Sequence, residues 1–112
     1  MSDVTPAGTA SAKYFEDYEA GQRFVSRGRT VSEADVRLHV GATGADHQNH
    51  TDDEYCKSHP ILERTCAHGL LVLAVVDGFI TQELPTRMGP SMNYGHDKVR
   101  YVKPVYTGDT IH

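Results

Sequence analysis

Hydrophobic positions along the chain fall into a few separate patterns. "QRFVSRGRTV", residues 22–31, sets Phe24 and Val25 among polar residues, a pattern that predicts a strand. "SEAD" at 32–35 follows, with Ser32 placed as an N-cap and Asp35 as the reciprocal acid of a capping box. Val36, Leu38 and Val40 then support a short helix ending at Gly41 or Gly44. "TDDE" at 51–54 repeats the device. Thr51 is expected to cap and Glu54 to reach back, with Asp52 and Asp53 where a helix dipole favours anions. From Cys66 to Leu84 runs "CAHGLLVLAVVDGFITQEL", apolar on every face over 69–76. Such a helix is a buried one, and the length of the run argues against a strand. Pro85 stops it. Val99, Tyr101 and Val105 predict a further strand over 95–103, ended by Pro104. "YTGDT" is a turn into one more strand.

The order is strand, two short helices, a long helix, then strands. A fully buried helix needs a sheet wrapped round it, so the fold class is α+β. Residues 1–13, "MSDVTPAGTASAK", are small and polar and are expected to form a disordered tail. Residues 14–112 then make one domain. "YFEDYEAGQRF" gives no clean helix and turns at Gly21. The closing "YTGDTIH" stops at the start of a strand. The expectation is a fragment, or strands supplied from elsewhere.

Composition narrows the classes. Hydrophobic residues make up 38% of the 112, as in a globular chain. The net charge is −4 and no basic patch carries interleaved aromatics, which argues against nucleic acid as a partner. The longest apolar run, Leu70 to Val76, is far short of the ~20 residues that span a bilayer. The polar N-terminus has no signal-peptide apolar region, so a cytoplasmic protein away from membranes is expected. Cys56 and Cys66 show no ligand spacing. Neither a disulfide nor a metal is expected.

The candidate chemistry lies in "TGADHQNHTDDEY", residues 43–55, between the two expected helices. Asp46 and His50 stand four positions apart, which brings them together on a helical turn or tight loop. A carboxylate and an imidazole so placed can hold one water and shuttle its protons. Gly69 opens the apolar helix; without a Cβ it lets a substrate approach its N–H, where the dipole favours an oxyanion. The plainer alternatives are a solvated loop and a close-packing glycine. His47 reads as a bystander and His68 as a packed or tautomer-fixed ring. His39, His59 and His96 read as scattered surface or supporting residues. Asp77 faces solvent or binds a polar partner, and Arg100 meets a phosphate or pairs with an acid.

Four ordered segments carry a resemblance. "RTVSEADV", "TGADHQNHTDDEY", "ERTCAHGLLVLAVVDGF" and "NYGHDKVRYVKPVYTGDTI" resemble the MaoC-like, (R)-specific enoyl-CoA hydratase family over about residues 14–112. The resemblance implies a hot-dog fold, an antiparallel sheet round a central helix. It implies reversible addition of water to a 2-enoyl-CoA thioester, with no cofactor beyond the coenzyme A of the substrate. It also implies a homodimer or larger, with the pantetheine in a groove at the interface. Asp46 would be the base on water, His50 its proton-donating partner, and Gly69 N–H the oxyanion donor. Gln48 or Asn49 would replace the family's asparagine, and His68 and Gly95 would border the substrate.

Two departures stand out. The family's acid and histidine have four residues between them, whereas three separate Asp46 from His50, and an ungapped alignment puts Ala45 at the acid position. Either the loop is one residue short and Asp46 serves, or the acid is lost. The family's Asn-Pro pair is absent too. Hot-dog folds also host thioesterases, so an acyl-CoA thioesterase and a non-catalytic acyl-binding subunit both stay open.

Overall fold

Ser32 fixes the start of the first long helix. Its hydroxyl accepts the N–H of Asp35, and the Asp35 carboxylate accepts the N–H of Ser32 in return. That reciprocal pair is the capping box expected from "SEAD". The protein is described here by a computed structural model covering residues 4–6, 14–82 and 92–112. Strand β1 is Val4–Pro6, β2 Arg23–Val25 and β3 Arg29–Thr30. Helices α1 (Glu33–Thr43), α2 (Gln48–Thr51), α3 (Asp53–Lys57) and α4 (Gly69–Gln82) follow, and β4 (Thr110–Ile111) is last. β1 pairs parallel with β2. β3 pairs antiparallel with β4, Arg29 opposite Ile111 and Thr30 opposite Thr110.

The chain divides into two compact units, one of residues 1–28, 75–99 and 112, the other of residues 29–74 and 100–111. The second unit carries the polar loop. Its core is Val31, Val36 and Ala67, with Leu71, Val72, Val105 and Ile111 packed against them. Val36 buries the inner face of α1, which ends on Gly44 at φ 76° with its N–H on the Val40 carbonyl. Only glycine holds that left-handed conformation at no steric cost. The "YTGDT" turn closes as expected, Asp109 N–H donating to Tyr106 O at 2.9 Å with Gly108 at φ 98°. Ahead of the turn, residues 65–67 pair with 105–107. Ala67 N–H meets Val105 O at 2.7 Å and Thr107 N–H meets Thr65 O at 3.2 Å. This short ladder sets the start of α4.

Several expectations need correcting. The strand over 22–31 is two strands, because residues 26–28 leave the extended ladder. Thr51 does not cap the third helix; it ends α2, and Asp52 caps α3 by accepting the Tyr55 N–H at 3.0 Å. The polar cluster is therefore not a plain linker, since part of it is helical. Helix α4 starts at Gly69 and is not buried on every face. Val75 is 5% exposed, but Leu70 is 66%, Val76 41% and Ile80 43% exposed. The described sheets have two strands each, too narrow to wrap fourteen helical residues. No described residue of 95–103 is in a strand; Lys98 sits at φ 57°, outside extended backbone. Val4–Pro6 forms β1 where a disordered tail was expected, and the rest of 1–13 lies outside the described residues, as do Leu84 and Pro85.

Candidate functional site

Helix α2 is a single turn, and the segment before α4 holds it from two sides. The Cys66 N–H donates to Asn49 O at 3.0 Å, and the Cys66 carbonyl lies 2.7 Å from His50 Nδ1. A carbonyl only accepts, so Nδ1 carries the hydrogen and neutral His50 presents its lone pair on Nε2. His47 caps the turn, its Nδ1 accepting the Asn49 N–H at 3.1 Å. Beneath it, the buried Cys56 thiol reaches the carbonyls of Gln48 and Asn49 at 3.7 and 3.5 Å. Asp53 Oδ1 accepts the Thr65 N–H at 3.0 Å. That backbone bond holds the Asp53 carboxyl below its usual range.

Three imidazoles gather here. His50 and His68 stack with ring centroids 3.6 Å apart and planes 23° from parallel, and His39 lies 4.4 Å from His68. His68, 6% exposed, donates from Nε2 to Ala45 O at 2.7 Å. Its Nδ1 is buried and has no protein partner among the described residues. Burial pushes the His50 imidazole below the ordinary histidine range. The bond to Cys66 opposes this, while His68, His47 and His39 add to it. At neutral pH His50 is thus an uncharged base with a fixed tautomer.

Asp46 stands apart. Its N–H bonds Gly44 O at 3.0 Å and its carbonyl faces Thr51 Oγ1 at 3.5 Å. The residue is exposed, and its carboxylate has no partner among the described residues. The charges acting on His50 are the three histidines, not Asp46. The structure therefore does not join the expected Asp46–His50 pair.

Gly69 begins α4. The first ladder bond is Val72 N–H to His68 O at 3.1 Å, so helix geometry leaves the N–H groups of Gly69, Leu70 and Leu71 without intrahelical acceptors. A Cβ on Gly69 would lie 2.7 Å from Tyr101 Cδ2. The Tyr101 ring occupies the approach that was expected to be open to substrate. Beside it is a cavity of about 310 Å³ lined by Ala67, Gly69, Val72, Arg100, Tyr101 and Val105, among others. A second cavity of about 290 Å³ is bordered by His50, Thr51, Asp53, Arg64 and Thr107.

The other expected residues are mixed. Gln48 is exposed and bonds Asp52 at 3.4 Å, whereas Asn49 Oδ1 is buried without a partner among the described residues. Gly95 belongs to the other compact unit, exposed and with open space about its Cα. Asp77 is exposed. Cys56 and Cys66 are free and buried, and burial raises both thiols. Sequence reasoning missed Tyr101, the Cys66 carbonyl and the capping role of His47. It also set His39 aside, although His39 follows the buried Val36 by three helical positions and so shares its face. Among the described residues no three His, Cys, Asp or Glu side chains are placed to hold a metal, and no helix is long and apolar enough to cross a membrane.

The MaoC like domain family matches residues 17–112. The chain belongs to that family, with its α+β hot-dog class of fold. It is 33% identical over 99 residues to the (R)-specific enoyl-CoA hydratase of Rhodospirillum rubrum, covering 88% of this chain and 65% of that protein. A monoamine oxidase regulatory protein from Archaeoglobus fulgius superposes with a TM-score of 0.77 at 31% identity, over 90% of this chain and 67% of that one. The unliganded R-hydratase PhaJ1 of Pseudomonas aeruginosa gives 0.66 at 27%, over 85% and 58%. The chain thus spans about two thirds of the length of these proteins or less.

Proposed function

We propose that this chain carries the proton-transfer site of an acyl-thioester hydratase/dehydratase acting on a 2-enoyl-CoA. The observation that carries this is the 2.7 Å bond from His50 Nδ1 to Cys66 O. It fixes the ring and leaves Nε2 as a base, beside the segment that opens α4. In the forward direction a water gives its proton to Nε2 as its oxygen bonds Cβ. The electron pair of the double bond moves onto the thioester, giving an enolate whose oxygen the N–H groups of Gly69 and Leu70 hold once the Tyr101 ring has swung off Gly69. Cα then takes that proton back from the His50 imidazolium, with the Asp46 carboxylate placed to steady the charge. His50 is thus the first proton acceptor and Asp46 its partner, the reverse of the roles that the resemblance implies. The acyl chain fits the cavity lined by Val72, Tyr101 and Val105. No cofactor is needed for these steps, and two copies of the chain are expected to share the site.

A second reading, a non-catalytic acyl-binding module, is supported by the exposed Asp46 carboxylate and by the likeness to a regulatory protein. The test is the enoyl absorbance of a short 2-enoyl-CoA with the purified protein, beside His50→Ala. Loss of the signal with the thioester retained, and slow in the variant, supports the hydratase. Release of free thiol would mean a thioesterase. An unchanged signal across several chain lengths would favour the binding module, and the similarity to named hydratases would then carry no activity.

A further inference from the structure

The strongest unassigned feature is a buried ring that touches the polar loop at two points, Ala45 and His50, besides the His39 ring of α1. His68 Nε2 donates to the carbonyl of Ala45, the residue before Asp46, at 2.7 Å. The face of the same ring stacks on His50 at 3.6 Å, with 6% of the residue exposed. His50 in turn bonds the carbonyl of Cys66, two residues before His68. The two imidazoles form a crossed clasp, each holding the backbone of the other's segment. Both ends of the loop, Ala45 and His50, are therefore held by one side chain.

We propose that His68 is a positioning residue: its hydrogen bond to Ala45 sets where Asp46 stands, and its ring sets the plane in which His50 presents Nε2. The role rests on the hydratase reading for its effect on rate, but not for its effect on His50. The groups facing His50 are the rings of His39, His47 and His68, the Cys66 thiol 3.9 Å from Nδ1, and Glu33, Arg37, Asp53 and Arg64 round the adjoining cavity. Removing His68 takes one potential cation from the side of the ring, which raises the pH at which His50 titrates. In a variant that keeps a flat ring at 68, and with it the burial of His50, a residue that only filled space would leave the midpoint where it is.

Two substitutions separate the halves of the clasp. His68→Phe keeps a flat ring and loses the donor; His68→Gln keeps a donor and loses the ring. Full-chain protein labelled with ¹⁵N and ¹³C gives the His50 titration and the Ala45 carbonyl shift by NMR. The expected result is an upward move of the His50 midpoint in both variants. The Ala45 carbonyl shift changes in His68→Phe and is largely kept in His68→Gln. With 2-enoyl-CoA, kcat falls about tenfold in His68→Phe, the scale of one lost hydrogen bond, with KM within about twofold. A His50 midpoint and an Ala45 shift unchanged in a folded variant would overturn the proposal. Should His68→Phe not fold, His68→Gln decides through the Ala45 carbonyl shift: kept, the donor role stands; moved, it falls. If the spectra respond but the wild-type protein hydrates nothing, the positioning stands and the hydratase reading falls.

Discussion

At one end of the polar loop, Asn49 and His50 are tied to Cys66 through both its N–H and its carbonyl. At the other end, Asp46 keeps only backbone bonds and its carboxylate stands in solvent. The two residues are four positions apart, the spacing that pairs side chains on a helix. The spacing does not act here because α2 begins at Gln48, with His47 as its cap. His50 is inside the turn and Asp46 is outside it. Helical periodicity therefore places one member of the expected pair and says nothing of the other. What holds the unhelical end is a contact from far along the chain, His68 on Ala45.

That difference can be broken by substitution. His50→Ala is expected to give the largest loss, about 10³-fold in kcat for 2-enoyl-CoA hydration, the middle of the range for a positioned proton-transfer group. Asp46→Ala should lose less, about 10²-fold, since its carboxylate is not fixed on the imidazole. Equal losses in the two rate assays would mean that the loop rearranges and joins the pair during turnover. Stability changes are smaller. Gly69→Ala forces a Cβ to within 2.7 Å of the Tyr101 ring and should cost about 1–3 kcal/mol in a denaturant melt. Adding Tyr101→Ala should remove much of that cost, because the partner of the clash is gone.

The capping box offers a milder contrast, remote from the loop. Ser32→Ala removes the acceptor of the Asp35 N–H and should cost about 1 kcal/mol in the same melt. The smallest effect expected is on pH. The folded-state pKa of His50 lies below the ordinary value of about 6.5, so the unfolded chain takes up its proton first as pH falls. Stability contributed by neutral His50 is present above about pH 6.5 and falls as pH drops from there through the folded pKa. His50→Gln should flatten that part of a stability profile, leaving the carboxylate losses of Asp35 and Asp53 at lower pH.

Helices α1 and α4 show what was legible in the sequence. Both signals for α1 are local: a capping box at Ser32 and a left-handed stop at Gly44. These were readable because each partner lies within a few residues. So was the Tyr106–Asp109 turn with its glycine. The start of α4 at Gly69 was legible too, but its burial was not. An apolar sequence reports a preference for burial, and only neighbouring strands supply it. The chemistry of the loop was visible as residue types, while its geometry was not. The contacts of His50 with Cys66, of His68 with Ala45 and of Tyr101 with Gly69 join residues 16 to 32 positions apart. No local period encodes such pairs.

The most direct test of the account is the pH dependence of kcat/KM for hydration of a short 2-enoyl-CoA by the wild-type protein. The account predicts a single acid limb with its midpoint below the ordinary histidine value of about 6.5, governed by the buried His50 base. A midpoint at or above that value would contradict it, as would an acid limb that persists unchanged in His50→Gln.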